Sequence, residues 1–263
     1  MKTVSVVVST IPERVSYLPI LLKSLSKQTM PPDEVIIVSD GYSNLLKGCV
    51  RTSLRVRFLD CSGGLSSARN KGVTASLGDV VLFIDDDVVI PDETLLYKVR
   101  IAFEKNPRLG AYGVSVRPLV VNSPVLPDGF NWLYGCTDSF SVRPVGAFFA
   151  VRRELFNVVG LFDERLGRNK NLMSGEETEL LQRISKLGLD VVLDKGNYVY
   201  HIICSRGFKY LIKRAFYEGI SKAKFSDLSV EKIYLRKYLK TPLGWFILSI
   251  TGVGYLVGRC GFV

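Results

Sequence analysis

Much that would mark a redox, zinc or nucleotide-hydrolysing protein is missing from this chain. Its five cysteines, Cys49, Cys61, Cys136, Cys204 and Cys260, are odd in number and widely scattered, with no CxxC pair. Neither a disulfide framework nor a zinc site is expected of them, and they read as reduced thiols. Histidine occurs once, at His201, so no cluster of imidazole ligands exists. There is no GxxxxGK[ST] and no GxGxxG, hence no P-loop and no dinucleotide-binding turn; phosphate must be held by a metal and by arginine or lysine. Only Lys2 and Thr3 separate Met1 from the strand-like run VSVVVS, which leaves no room for a secretory or transit peptide and predicts a catalytic part facing the cytoplasm.

What the chain does have is apolar mass and positive charge. Hydrophobic residues make up 47% of the 263, enough for one sizeable core, with or without an appendage. The formal net charge is +10, and seven of those ten charges arise between Arg206 and Lys240, among Phe208, Tyr210, Phe216, Tyr217, Phe225, Tyr234 and Tyr238. Such a basic, aromatic segment suits nucleic acid or an anionic membrane surface. Residues 241–258, TPLGWFILSITGVGYLVG, carry no charge and decide for the membrane. They predict a C-terminal anchor that lies in the interface or dips into it behind a basic collar, with no role in binding nucleic acid. A terminal helix packed on the core is the alternative for the same residues.

The first half alternates between strand and helix patterns. Strands are expected at Val4–Ser9, Glu34–Ser39, Val56–Leu59, Val80–Ile84 and Ala111–Val116. Leu18, Leu21, Leu22 and Leu25 line one face of a helix, and further helices are expected over Ser66–Thr74 and Leu95–Phe103. This order predicts an α/β fold, a mostly parallel central sheet with helices on both faces, with ligands bound beyond the carboxyl ends of the strands. Ser9, Asp40 and the Asp85–Asp87 run all fall at such ends.

The acidic run is the strongest chemical signal. In FIDDDVVIPD, residues 83–92, an apolar strand stops at three carboxylates. Carboxylates gathered there repel one another unless a divalent cation compensates, typically one that also bridges to a phosphate-bearing ligand. An ordinary acidic turn is the bland reading. Asp40, before Gly41, is likewise either a turn residue or an acceptor for a nucleobase imide. In GGLSSARNKG, residues 63–72, Arg69 offers a guanidinium suited to a diphosphate or a base edge.

The second half offers a base. In SGEETELLQRISKLG, residues 174–188, Leu180, Leu181, Ile184 and Leu187 mark the buried stripe of a helix that Gly188 ends. Glu177 falls in the middle of that stripe, Glu176 toward its flank and Glu179 well away. A carboxylate on the buried face either lines a cleft as a general base or merely complements the helix dipole. His201 closes the apolar strand YVYH, where it can complete the coordination begun by Asp87. Trp132 and Gly146 lie in the 117–150 stretch, which is expected to form the acceptor side through aromatic stacking and close backbone approach.

Taken in order, VSVVVS, EVIIVSDG, GGLSSARNKG, FIDDDV, VGLFDERLG, GEETELLQR and a strand ending in His201 resemble a family 2 glycosyltransferase of the GT-A fold over residues 3–205. FNWLYGCTDSF (130–140), FDERLGR (162–168), EETEL (176–180) and RAFYEGISKA (214–223) are similar to the archaeal membrane-associated members that extend dolichyl-phosphate-linked glycans for N-glycosylation. The resemblance implies a GT-A domain over 1–205, with a nucleotide-sugar half (1–117) and an acceptor half (118–205). A basic helical segment (206–240) and an apolar membrane-associating segment (241–263) would follow. It implies that Ser9 and Asp40 contact the base, Arg69 the base or diphosphate, and Asp85 the ribose, with Asp86 beside it. Asp87 and His201 would hold Mg2+ or Mn2+, and Glu177, where the family usually has an Asp, would be the catalytic base with Glu176 near the acceptor. Ser9 and Ile11 stand where many members have a Pro or Tyr near the end of the first strand, and Glu13 and Arg14 would be lip residues. The implied partners are a nucleoside diphosphate sugar, a lipid-linked glycan acceptor and the membrane surface, and the implied location is the cell membrane, peripheral or monotopic. Synthesis of an exopolysaccharide or another surface glycan is the alternative activity. A nucleotidyltransferase is disfavoured by STIPER after the first strand, and a non-catalytic nucleotide-sugar-binding module by retention of the whole acidic set with Glu177.

Overall fold

A computed structural model describes residues 1–121, 131–137, 141–167, 174–204, 208–225 and 242–259. Four runs rich in Val and Ile form the expected strands: β1 (Val4–Thr10), β2 (Glu34–Ser39), β3 (Val56–Asp60) and β4 (Val80–Asp85). Every residue of β2 is buried, the pattern of a strand covered on both faces. Beyond them come β5 (Val88–Val89), β6 (Leu109–Val121), β7 (Phe148–Arg152) and β8 (Asp190–Cys204). The eight strands form one sheet in the order β3-β2-β1-β4-β7-β6-β8-β5. β1, β2, β3 and β4 pair in parallel, as do β6 and β8, whereas β7 runs antiparallel to both its neighbours and β5 is antiparallel to β8.

Alternation along the strands splits the interior in two. Val4, Val6, Val8, Leu82 and Ile84 face α1 (Leu18–Ser26), α2 (Ser43–Cys49) and α4 (Leu95–Lys105). Val7, Val81, Phe83 and Phe149 face α3 (Leu65–Ala75), α5 (Phe156–Val159) and α6 (Glu176–Lys186). Phe83 stacks on Phe149 at 4.8 Å and meets the edge of Phe162 at 5.1 Å. The segment carrying Phe162 is latched to α3. Asn70 donates to the Phe162 carbonyl and Glu164 Oε1, and accepts from the Phe162 N–H at 2.8 Å. The Asn70 bond also draws the Glu164 carboxyl below its ordinary pKa.

Helices α7 (Phe208–Phe225) and α8 (Pro242–Arg259) form an antiparallel pair, with Phe216 against Gly254 and Gly219 against Thr251. A methyl group at either glycine would overlap the facing backbone, so the close crossing requires both. Leu211, Ala215 and Ile247 join the core, while Phe246, Val253 and Leu256 remain 44, 54 and 64% exposed. The sequence alternatives of anchor and packed helix thus meet in one element, which packs through one side and presents apolar residues on another. No helix among the described residues is long and apolar enough to cross a membrane. Residues 226–240 of the expected basic segment, and Phe130, lie outside the described residues.

Candidate active site

The carboxyl ends of β1, β2 and β4 lie side by side. Ser9 is in register with Val38 on one flank and Asp85 on the other. Asp40 follows β2 and is exposed before Gly41, whose φ of 82° makes the turn. Asp60, at the end of β3, fixes this turn by accepting from the Ser39 hydroxyl at 3.0 Å, the Ser43 N–H at 2.9 Å and the Ser43 hydroxyl. The Ser43 bonds hold its carboxyl below the usual range. Ser9 Oγ is buried and makes no hydrogen bond. Glu13 is exposed.

The three successive aspartates diverge because β4 ends at Asp85 and the chain turns through Asp86 and Asp87 before β5 begins. Asp85 turns toward α3, where Arg69 Nη2 lies 3.4 Å from its Oδ1. Asp86 turns the other way and accepts from Thr10 Oγ1 at 2.7 Å, with Arg14 Nε 3.3 Å from its Oδ1. Asp87 contacts His201 Nε2 through Oδ1 at 2.9 Å and the Arg14 guanidinium through Oδ2. Both Asp86 and Asp87 are 1% exposed. Pairing of β5 with β8 sets this up: Val88 is opposite His201, and the Ile202 N–H donates to the Asp87 carbonyl at 2.8 Å. On the other side of the imidazole, Cys136 Sγ lies 3.7 Å from Nδ1.

Asp85, Asp87 and His201 each present one ligand atom, all within 4.8 Å of one another. Two hard carboxylate oxygens and one imidazole nitrogen at that spacing could hold a divalent cation. Sequence reading had already joined Asp87 to His201; the structure adds Asp85 to the set.

Arg69 is the hub of the opposite wall. Only 3% exposed, it donates through Nη1 to Glu176 Oε1 at 2.7 Å and through Nη2 to the Gly146 carbonyl at 2.9 Å. Its guanidinium also lies 5.5 Å from the Phe149 ring and 5.7 Å from that of Phe162. Arg69, expected beside the base or diphosphate, makes these contacts with protein groups. They tie α3, the end of β4, the Gly146 loop and the start of α6 into one unit.

The two glutamates also differ from the periodicity reading. Glu176, expected at the flank, is the buried one at 3% exposure, whereas Glu177 is half-buried. The ion pair with Arg69 explains the exchange, because a buried guanidinium draws the adjacent carboxylate inward. Glu177 is left at the edge of the cleft. A side chain on Gly146 would come within 3.2 Å of Arg69 Nη2 and 3.5 Å of Glu177 Cδ, so a glycine keeps the Glu177 wall open. Trp132 lies on a single 3-10 turn, Asn131–Tyr134, with its indole outside the described atoms.

Sequence reading missed Thr10, Cys136 and the pairing role of Arg14. Arg14 left one signal, as the only cation between β1 and α1; Thr10 and Cys136 left none.

A strand-end acidic group with a histidine, facing a half-buried carboxylate, is an arrangement for transferring a group from a metal-bound diphosphate. Comparison with known proteins agrees. Residues 5–158 match the model of glycosyl transferase family 2. A glucosyl-dolichyl phosphate glucuronosyltransferase from Haloferax volcanii is 31% identical over 241 residues, covering 83% of this chain and 76% of its own. A mannosyltransferase from Pyrobaculum calidifontis, solved with GDP-Man and Mn2+, superposes with a TM-score of 0.67 at 17% identity over 98% of this chain and 75% of that one. TarS from S. aureus, solved with UDP-GlcNAc, superposes with a TM-score of 0.55 at 18% identity over 88% of this chain and 69% of that one. The last two share the GT-A fold, and the first two comparisons establish the family. The chain is a transferase, and it belongs to glycosyl transferase family 2.

Proposed function

We propose that the protein transfers a sugar from a nucleoside diphosphate sugar to a hydroxyl of a lipid-linked glycan at a membrane surface, with inversion at the anomeric carbon. The observation that carries this reading is the Asp85, Asp87 and His201 group linked toward Glu177 through Arg69, which touches Asp85 and, like Glu177, lies against Gly146. The donor half is residues 1–117 and the acceptor half 118–205. Ser9 and Asp40 bound the base, and the Ser9 hydroxyl, which makes no hydrogen bond within the protein, is available to it. Asp86, held by Thr10 and Arg14, supports its neighbours.

A divalent cation held by Asp87 and His201 with Asp85 would neutralise the charge that develops on the departing diphosphate. Glu177 accepts the proton of the acceptor hydroxyl as it attacks from the face opposite the leaving group. Glu176 stays bound to Arg69 and so keeps the first turn of α6 against the sheet. Arg183 braces the same helix by donating to Glu179 and to the Leu161 carbonyl at 2.8 Å.

The lipid-linked acceptor rests on the named activity of the Haloferax relative, and membrane docking on the exposed apolar stripe of Phe246, Val253 and Leu256. The test is to incubate the protein with Mn2+, nucleotide sugars and a dolichyl phosphate glycan and determine the anomeric configuration of the product by NMR. An α-linked donor should give a β-linked lipid product. An α-linked product would contradict inversion, and transfer to soluble glycan alone would favour surface-glycan synthesis.

A further inference from the structure

Arg14 stands where a cation is needed. Its guanidinium spans Asp86, through Nε at 3.3 Å from Oδ1, and Asp87, through Nη2 on Oδ2. Its side chain is 16% exposed and the two carboxylates only 1%. Carboxylates so buried cannot stay charged and packed together without a partner. In the structure that partner is a side chain, on the same Asp87 that belongs to the group able to hold a metal.

The surroundings permit an exchange of one cation for another. Arg14 rides on the short 3-10 segment Pro12–Tyr17, which has no side-chain cap and none of whose residues is fully buried, and its side chain keeps 16% of its surface exposed at the lip. If the guanidinium leaves, Asp86 keeps the Thr10 hydroxyl at 2.7 Å. Asp87 keeps His201 Nε2 at 2.9 Å, and a divalent ion would replace the positive charge that the guanidinium takes away. The displaced guanidinium would then need an anion, and a diphosphate arriving at this lip offers pairs of phosphate oxygens that the planar guanidinium fork can contact in bidentate fashion.

We propose that Arg14 is a built-in competitor of the metal, so that cation and diphosphate bind cooperatively: the cation takes Asp87 from Arg14 and the diphosphate takes Arg14 from Asp87. Coupling of this kind is reciprocal, each ligand tightening the other by the same factor. The inference rests on the reading of Asp85, Asp87 and His201 as a metal site.

The test is direct Mn2+ binding, followed by loss of the free-ion electron paramagnetic resonance signal, with and without GDP or UDP and without any turnover. Wild type should bind Mn2+ weakly alone and more tightly with the nucleotide that fits. Arg14→Met should tighten Mn2+ binding without nucleotide by about tenfold, inside the roughly 5–150-fold span of such couplings, and should shrink the nucleotide effect. Arg14→Lys, which keeps the charge but cannot span two carboxylates, should fall between the two and serves if the Met variant does not fold. Equal or weaker Mn2+ binding by a folded Arg14 variant would overturn the proposal and make Arg14 a fixed support for the carboxylates. Asp87→Asn separates the two levels of argument. It should abolish tight Mn2+ binding; if it does not, the metal-site reading itself has failed and the competition falls with it.

Discussion

In the proposed mechanism the chemistry turns on Glu177, and its replacement should separate binding from transfer. Glu177→Gln keeps size and hydrogen bonding but removes the base, so single-turnover transfer should fall by about 10²–10⁴-fold while nucleotide-sugar affinity, read by calorimetry, changes little. Wild-type transfer by this variant would remove Glu177 from the mechanism. At this scale the sequence was partly legible. Three aspartates ending an apolar run and a single histidine ending another are visible because each interrupts a strong local pattern. The partition between Glu176 and Glu177 was not visible, since both border the same apolar stripe and only the buried Arg69 decides between them. Arg69 draws its partners from Asp85, Gly146 and Glu176, three segments far apart in the chain, and no local pattern encodes that meeting.

Elements set the spacing of these groups, and glycine at one point keeps them apart. Gly146→Ala would place a methyl 3.2 Å from Arg69 Nη2, close enough that the guanidinium must shift, and in ordinary contact with Glu177 Cδ at 3.5 Å. The expected result is a drop in transfer rate of about 10–100-fold from displaced groups, with a far smaller effect on thermal stability. The start of α4 gives a pH signature instead. Asp92 accepts from Lys98 at 2.7 Å and from the Thr94 hydroxyl and N–H at 2.7 and 2.8 Å, and these contacts, Lys98 first, lower its pKa to about 2. Because the folded value lies below the unfolded one of about 3.9, the stabilisation is complete above that pH and is lost as pH falls toward 2. Urea midpoints measured from about pH 5 down to 2 should therefore fall less steeply in Asp92→Asn than in wild type; parallel slopes would contradict the pairing. Strands β1, β2 and β4 were legible as runs of Val and Ile, and helices α1 and α6 as Leu and Ile at helical spacing. The antiparallel β7 was not, because FFAVR is a short run without alternation. Its antiparallel direction is fixed by β4 and β6 on either side, a tertiary fact. The length of β8 was likewise hidden, since Asp194, Lys195, Gly196 and Asn197 break its apolar pattern at the bulge against β6.

The whole molecule joins a nucleotide-sugar fold to a helical pair with one apolar side exposed. Phe246→Asp together with Leu256→Asp should weaken binding to anionic vesicles by at least about tenfold, since each inserted side chain contributes on the order of 1.5–3 kcal/mol. Mn2+ binding should be unchanged, because neither residue belongs to the Asp85, Asp87 and His201 group; undiminished sedimentation with vesicles would place the membrane contact elsewhere. The charge pattern made this end legible in outline, as a basic stretch before an uncharged one. The tight crossing through Gly219 and Gly254 was not legible, because it depends on which faces of the two helices meet. The central claim concerns sugar transfer to a lipid-linked glycan, and nucleoside diphosphate release tests it most directly. With Mn2+ and a panel of nucleotide sugars, one donor should release its diphosphate, and addition of dolichyl phosphate glycan should raise that release. Absence of release from every donor by folded, Mn2+-bound protein would contradict the account.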